Sequence, residues 1–381
     1  MTAAGSAVPR RVRDLVAAIG AAAPWGQAAE WDRVGLHIGD ADAEVAGVLV
    51  ALDATPAVVD EAAARGCSVL LTHHPLLFKP VARVTADDPV GALVLRMARA
   101  GVAHVAAHTN LDASAAGVSV ALAEGIGLEN VRILAPLADA MRLVVTYAPP
   151  DAADAVRAAL AGAGAGRIGL YDACSFSSDG TGRFTPLAGA TPAVGSVGQA
   201  EAAPEVRIEA LVPSWRSQDA LTAVRASHPY EEPVVVAVPV SGVAPREGFG
   251  AVGDLPAPLA LDAFLDHVAH ALGTPALRHV GSSDRLVRRV AVCGGSGLSF
   301  LPDALRARAD AYVTADVTYH RWAEALAPDG TPRIALVDAG HYETERVAET
   351  LLVDIAAAAL PGVPVLRTRL RTDASRVHVA R

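Results

Sequence analysis

The run SVLLTHHP (68–75) decides how the rest of the chain is read. Four residues with apolar or β-branched side chains, bounded by a turn-forming Gly-Cys before and a proline after, have the length and composition of a fully buried strand. His73 and His74 follow that strand at once. Neighbouring side chains on extended backbone point to opposite sides, and Pro75 keeps His74 extended. At a strand end, where the backbone twists, two adjacent imidazoles can serve two neighbouring ions.

Working outward, the same grammar recurs. GVLVAL (47–52) and VAHVAA (102–107) read as strands, and His108 follows the second directly. Helical patterns cover 56–65, which opens on proline, then 90–100 and 113–124. In the last third, strands are expected at 289–293, 311–314 and 333–337, with helices at 301–309 and 342–357. Short apolar runs alternating with helices specify α/β layers around mostly parallel sheets. In such sheets ligands collect beyond the carboxyl ends of the strands, which is where His73, His108 and His341 stand.

Two further pairs share a spacing of four: His108 with Asp112, and His341 with Glu345. On a helix that spacing brings Cβ atoms to roughly 6 Å on one face. Taken singly, Asp112 reads equally well as a helix cap, and His341 with Glu345 as an exposed helix pair. Taken together, His73, His74, His108, Asp112, His341 and Glu345 supply four imidazoles and two carboxylates. A tetrahedral zinc needs fewer, and two divalent ions need about this many. Such a donor set suits Zn, Fe or Mn. The candidate catalytic residues are Glu345, Asp316 and His320; His320 reads alternatively as a helix cap. No GxSxG nucleophile motif occurs. Gly294–Gly297 after a strand is a weak phosphate-cradle signal.

The middle of the chain differs. Strands at 141–147, 208–212 and 233–240 flank helices at 151–162 and 217–227, joined by a long glycine- and serine-rich passage near 163–204. Two strand–helix units of this kind suggest an inserted ferredoxin-like α+β module. The expected division is a first core lobe 1–139, the insertion 140–242, and a second lobe 243–381, with 242–253 as the return linker. Gly180-Thr181-Gly182 reads as a hairpin turn, and His228-Pro-Tyr-Glu-Glu-Pro233 as a rigid turn into the next strand.

Composition closes off other classes. Of the 381 residues, 52% are hydrophobic, enough for large cores, while aromatics are only 4%. The net charge of −9 and the absence of Lys/Arg runs argue against a nucleic-acid polymer as partner. A single nucleotide stays within reach, because one phosphate needs few cations. Cys67, Cys174 and Cys293 form no CxxC and read as small core or edge residues of a reducing compartment. No apolar run reaches membrane-span length, and Asp14 interrupts the signal-like pattern after Arg10, so the expected location is the cytoplasm.

LLTHHPLLF (70–78), AAHTNLDAS (106–114) and DAGHYETE (338–345) resemble the NIF-three-like dinuclear metal centre proteins, the type 2 homologues of GTP cyclohydrolase I. WDRVGLHIGD (31–40), GFGAVGDL (248–255), CGGSG (293–297) and ADAYVTADVTYH (309–320) fit as well. AGAGRIGLYDACSF (163–176) and SHPYEEP (227–233) resemble the longer bacterial members, whose inserted domain is similar to nitrogen-regulatory PII-type modules. The resemblance implies two pseudo-symmetric lobes, a toroidal homohexamer, and metal ligation by His73, His74, Asp112, His341 and Glu345, with His108 as a further ligand. It implies a dinuclear metal-dependent hydrolase acting on a nucleotide-like substrate, with GTP cyclohydrolase activity as one form. The alternative is a metal-binding scaffold or regulator with a small-molecule-sensing insertion. Asp32 and Ala315 depart from the usual pattern, and both are expected to stand clear of the ligands.

Overall fold

The computed structural model describes residues 10–137, 140–242, 247–376 and 378. The architecture is mixed α/β with three sheets. The chain separates into two compact units, one of Met1–Pro136 with Arg246–Arg381 and one of Leu137–Pro245.

The first unit opens with α1 (Val12–Ala22), which buries Val12, Leu15 and Ile19. Strands β1 (Gly35–Ile38) and β2 (Val48–Ala51) follow. Helix α2 (Pro56–Ala64) starts where the Thr55 hydroxyl accepts from Val58 N, with proline in the first turn. After β3 (Val69–Thr72), α3 (Pro89–Ala100) is capped by Asp88 and stopped by Gly101 at φ +65°. Then come β4 (Ala103–Ala106), α4 (Thr109–Ala113), α5 (Val118–Gly125) and β5 (Glu129–Pro136). The single helix expected over 113–124 is therefore broken. At Gly117 a Cβ would lie 2.3 Å from Leu111 O, so the chain closes tightly there and restarts.

The second unit runs β6 (Met141–Ala148), α6 (Ala153–Gly162), β7 (Phe176–Phe184), β8 (Glu201–Pro213), α7 (Ser217–Ser227) and β9 (Val235–Pro239). Its sheet has the order β7-β8-β6-β9 and every pair is antiparallel. Val144, Ile208 and Val212 from the sheet, Val156 and Leu160 from α6, and Ala220 and Val224 from α7 make its core. The expected turn at Gly180-Thr181-Gly182 is instead the middle of β7, paired in register with Glu205, Pro204 and Ala203. Gly182 is there to make room, since a Cβ would sit 2.4 Å from Glu205 Oε2.

The first unit resumes with β10 (Gly248–Ala260), α8 (Leu261–Leu272), β11 (Arg278–Val280), β12 (Leu286–Val292), α9 (Leu301–Arg306), β13 (Ala311–Thr314) and β14 (Ala335–Asp338). It ends with α10 (His341–Glu345), α11 (Val347–Ala359) and β15 (Val365–Arg367). The helix expected over 342–357 is divided at Arg346. Half of the expected 242–253 linker belongs to β10. Its glycines mask the strand pattern and permit close approach: a Cβ on Gly248 would lie 2.3 Å from Ala135 O of β5.

One sheet has the order β1-β4-β3-β2-β15, parallel except for β1 at its edge. The other, β11-β14-β13-β12-β10-β5, is parallel only across β12, β13 and β14. The expectation of mostly parallel sheets therefore fails for the second sheet, because β10 and β11 return antiparallel along its flanks. Every residue of β2, β3 and β4 is buried, since helices cover both faces. Burying side chains such as Leu70 and Leu71 contributes about 2 kcal/mol each. Two rigid sheet edges are thus available to hold side chains.

Candidate metal centre

The parallel strands deliver their carboxyl ends together. His73 and His74 follow β3, His108 follows β4 and Asp112 lies on α4; His341 and Glu345 open and close α10 after β14. The imidazole centroids of His73 and His74 are 5.2 Å apart, His73 and His108 5.1 Å, His74 and His108 5.5 Å, and His74 and His341 5.3 Å. All four histidines expected from the sequence are therefore neighbours, and both carboxylates are with them. His73 Nε2 is 3.6 Å from Asp112 Oδ1, while Glu345 Oε2 is 2.9 Å from His74 Nε2 and 2.8 Å from His341 Nε2.

Each ring is oriented from its other nitrogen. His73 Nδ1 donates to Ala107 O at 2.9 Å, His74 Nδ1 to Asp53 Oδ1 at 2.6 Å, His108 Nδ1 to Asp32 Oδ1 at 3.0 Å, and His341 Nδ1 to Asp316 Oδ2 at 2.7 Å. A carbonyl or carboxylate can only accept, so the Nδ1 proton is fixed and Nε2 is the nitrogen that faces the cluster. Fixing a histidine through an acceptor on its far nitrogen is how proteins hold metal-binding imidazoles. His73 adds a sharper sign. Its ring is fully buried, and Nε2 is a buried polar atom with no hydrogen-bond partner. An orphaned lone pair of this kind costs about 1–3 kcal/mol unless a donor proton or a cation meets it.

The charges point the same way. Burial disfavours the Glu345 carboxylate, yet hydrogen bonds from His341 and His74 outweigh burial and hold its pKa well below the usual range. Against burial, the hydrogen bonds to Asp53 and then Glu345 raise His74 to about 10, and those to Glu345 and then Asp316 raise His341 to about 9. Burial lowers His73 to about 3, leaving it a neutral donor. Burial, reinforced by the Glu345 charge, pushes Asp112 well above a normal carboxyl. The neutral His73 ring with its unmet lone pair, and carboxylates that attract positive charge strongly enough to hold protons on His74 and His341, fit a site for divalent cations. Two overlapping donor groups, His73-His74-His108 and His74-His341-Glu345, each have ligand atoms within 4.8 Å of one another.

The backbone is shaped for this. Gly295, at φ +59°, leaves room for Glu345, whose Oε1 would lie 2.0 Å from a Cβ there. Gly340, at φ +89°, leads into α10. Asp316 adopts φ +57°, a strained region for a non-glycine residue that occurs here beside the chemistry. The phosphate cradle suggested for Gly294–Gly297 is not formed. Gly295 N and Gly297 N donate to the Thr344 and Thr314 hydroxyls, both at 3.0 Å, so those N–H groups are committed within the protein.

Sequence reasoning set Asp32 apart from the ligands, but it touches one. Besides His108, it accepts from Thr109 N at 3.0 Å and from the Thr109 hydroxyl at 2.5 Å. Its burial is outweighed by His108 and Thr109, so its pKa falls far below normal. Asp53 was also missed, although it stands just past β2 at the same sheet edge. Asp316 reaches the cluster only through His341 Nδ1. His320 is exposed in the 3-10 turn Tyr319–Ala325, with its ring edge-on to Tyr319 at 5.1 Å. It does not cap that turn, where Thr318 precedes the first residue, and among the described residues its ring pairs with Tyr319 alone.

A cavity of about 520 Å³ opens at this side of the sheet, lined by Arg278, His279, Tyr319, His320, Trp322 and Ala323. Arg278 pairs in register with Asp338, three residues before His341. Its guanidinium lies 5.2 Å over the Trp322 ring, and Tyr319 is 83% exposed. Among the described residues no helix is long and apolar enough to cross a membrane.

Comparison with known proteins places this arrangement in context. The family profile for Duf34/NIF3 (NGG1p interacting factor 3) matches residues 10–374. A Mycobacterium tuberculosis protein named GTP cyclohydrolase 1 type 2 homolog is 43% identical over 339 residues, 88% of each chain. A Bacillus subtilis protein of the same name is 37% identical over 327 residues, covering 86% of this chain and 87% of its own. The crystal structure of a Bacillus cereus protein related to NIF3 superposes with a TM-score of 0.78 at 34% identity, covering 98% of this chain and all of that one.

Proposed function

The chain belongs to the Duf34/NIF3 family, and on that premise we propose that the cluster is the dinuclear metal centre of a hydrolase acting on a nucleotide-like substrate. His73, His74, His108, Asp112, His341 and Glu345 would hold two divalent ions of Zn, Fe or Mn, with His74 common to the two donor groups. When bound, such ions polarise the substrate atom under attack and make water a nucleophile near neutral pH. The observation that carries the reading is the set of four imidazoles anchored through Nδ1 with Nε2 turned inward, one of them without any protein partner.

The chain's own groups divide the remaining work. Asp32, Asp53 and Asp316 hold the Nδ1 protons of His108, His74 and His341 and so fix ring orientation. The partly buried Asp112 carboxyl, whose pKa is pushed up, stands 3.6 Å from His73 Nε2 and would add a carboxylate ligand beside it. The 520 Å³ cavity offers aromatic faces from Tyr319 and Trp322 and the Arg278 guanidinium, which is paired with Asp338 at 3.7 Å, a lining that suits a purine carrying phosphate. The name carried by the relatives puts GTP first: one water would add at C8 of the purine and the C8–N9 bond would break to leave a formamide on N7, and a second water would hydrolyse that formamide, releasing formate and a free amine.

Around this centre we place two pseudo-symmetric lobes, 1–139 and 243–381. Each offers three parallel strands, β2-β3-β4 or β12-β13-β14, with chemistry at their carboxyl ends. We read 140–242 as an inserted PII-like module; its β-α-β-β-α-β chain order and antiparallel β7-β8-β6-β9 sheet support a ferredoxin-like assignment. The assembly is proposed to be a toroidal homohexamer in the cytoplasm. The test compares formate release from GTP by metal-loaded protein, chelated protein and Glu345→Gln. Turnover confined to the loaded wild type supports the reading, and equal rates in all three reject it. Nucleotide binding without product under several metals would favour a metal-binding scaffold instead.

A further inference from the structure

The metal chemistry leaves one sequence motif unused, His228-Pro-Tyr-Glu-Glu-Pro233, and the second unit builds a cavity around it. The cavity measures about 820 Å³ and is formed entirely within that unit. This is the size range of small-molecule sites. Its walls carry three aromatic rings, Tyr147, Phe184 and Tyr230, and three carboxylates, Glu205, Glu231 and Glu232. Arg183, itself exposed, is the one cationic side chain in the lining.

These groups are held in place by the protein. The Tyr230 hydroxyl donates to Glu205 Oε1 at 2.9 Å. The missing side chain of Gly182 lets the Glu205 carboxylate lie across β7. His228, nearly buried, donates from Nε2 to Tyr147 O at 2.8 Å and accepts at Nδ1 from Tyr230 N at 3.1 Å; its ring lies 4.9 Å from that of Tyr230. Thr191 N donates to Glu231 Oε2 at 2.9 Å and its hydroxyl bonds to Oε1, tying the 185–194 loop across the opening. Pro229 and Pro233 stiffen both ends of the turn. Burial and the Glu205 charge raise the Tyr230 phenol to about 12, so it remains a donor. Among the described residues, no lysine, arginine or histidine forms an ion pair with Glu205, Glu231 or Glu232.

We propose that this cavity binds an organic cation, a protonated amine or a guanidinium carried on an aromatic or aliphatic body. The Phe184 and Tyr230 rings supply the faces that attract such a cation, Tyr147 being already covered by the Arg207 guanidinium at 5.9 Å, and Glu205, Glu231 and Glu232, none of them in an ion pair, supply the counter-charge. The same carboxylates disfavour phosphate-bearing ligands, so the cavity's ligand class is distinct from the nucleotide proposed for the metal centre.

The experiment is calorimetric titration of the full chain, stripped of metal, with three matched probes: protonated 2-phenylethylamine, neutral 2-phenylethanol and anionic phenylacetate. The expected result is saturable binding of the amine, at least about tenfold tighter than either of the others. Glu205→Gln and Tyr230→Leu should each weaken it by about tenfold, and Tyr230→Phe by only a few-fold. Unchanged circular dichroism and melting temperature show that each variant is folded, and Glu232→Gln serves as a second charge probe should Glu205→Gln misfold. Preference for the anion, equal affinity for amine and alcohol, or amine binding untouched by loss of either carboxylate overturns the proposal. So does the absence of saturation by the amine up to about 10 mM, a concentration well above millimolar affinity. None of these readouts involves turnover or metal, so the result stands apart from the fate of the hydrolase reading.

Discussion

Gly295→Ala perturbs the centre without removing any ligand. The new Cβ would start 2.0 Å from Glu345 Oε1, 2.7 Å from its Cδ and 3.1 Å from His341 Nε2. Non-bonded heavy atoms settle near 3.5 Å, so the carboxylate must retreat by about 1.5 Å. That exceeds what hydrogen bonds of 2.9 and 2.8 Å to His74 and His341 can absorb. Holding alanine at φ +59° adds about 1–2 kcal/mol, and the damaged hydrogen bonds about 1–2 kcal/mol more. The variant should therefore lose about 3 kcal/mol in denaturant unfolding, remain folded, and bind divalent metal at least about tenfold more weakly. Gly297→Ala is the control. Its Cβ would meet Cys293 Sγ at 2.6 Å and Thr314 Oγ1 at 2.7 Å, and no proposed ligand lies among its nearest atoms. It should destabilise by a comparable amount and keep its metal affinity. Titration calorimetry with elemental analysis decides the matter: wild-type affinity in Gly295→Ala, or equal loss in the control, refutes the assignment of Glu345.

Asp32→Ala strips the acceptor from His108 Nδ1 and from both donors of Thr109. It should cost about 2–4 kcal/mol in denaturant unfolding and weaken metal binding by about 10–100-fold in calorimetry, while Asp32→Asn, which keeps one acceptor oxygen, should lose less on both counts. His104 gives acid lability. Burial lowers it to about 3 from 6.5, its Nε2 donates to the Thr72 hydroxyl, and its buried Nδ1 has no partner to receive a second proton. Because the folded pKa is depressed, the unfolded chain takes up the proton first. This stability is complete above pH 6.5 and drains away as pH falls toward 3, by about 2 kcal/mol at pH 5. Because His73, His74 and His341 titrate in both proteins, the test is the difference: between pH 7.5 and pH 5 in denaturant melts, the wild type should lose about 2 kcal/mol more than His104→Phe. Chelation should lower the melting temperature by several degrees if metal at a thousand times its Kd contributes about 4 kcal/mol to the folded state; identical melts with and without chelator would argue against bound metal.

The parts of the molecule that were legible in the sequence are those whose signal is local. SVLLT and VAHVAA announce buried strands by composition, and the histidines after them sit where parallel strands present ligands. The i, i+4 spacing of His341 and Glu345 likewise carries straight into one turn of helix with both groups 2.8 Å apart. What escaped depends on distant chain. Asp32 meets His108 across 76 positions, in irregular backbone that has no periodicity to read. Asp53 obeyed the strand-end rule that found His73 and could have been found by it. Glycine hid β7 and β10, because it contributes nothing to alternation while permitting the close approaches at Gly182 and Gly248. The antiparallel flanks of the second sheet were invisible for the same reason, since strand direction is set by partners rather than by composition.

The last strand has a temporal meaning. β15, made of residues 365–367, completes the sheet that begins with β1, and α11 supplies Glu349 to the backbone of Leu52 beside β2. A ribosome therefore releases His73, His74 and His108 long before the edge and the helix that secure their platform have been synthesised, with the whole second unit emerging in between. The six candidate ligands can come together only after residues 341–345 have been made, and a chain stalled or truncated before residue 341 would expose imidazoles without the Glu345 carboxylate that faces His74 and His341.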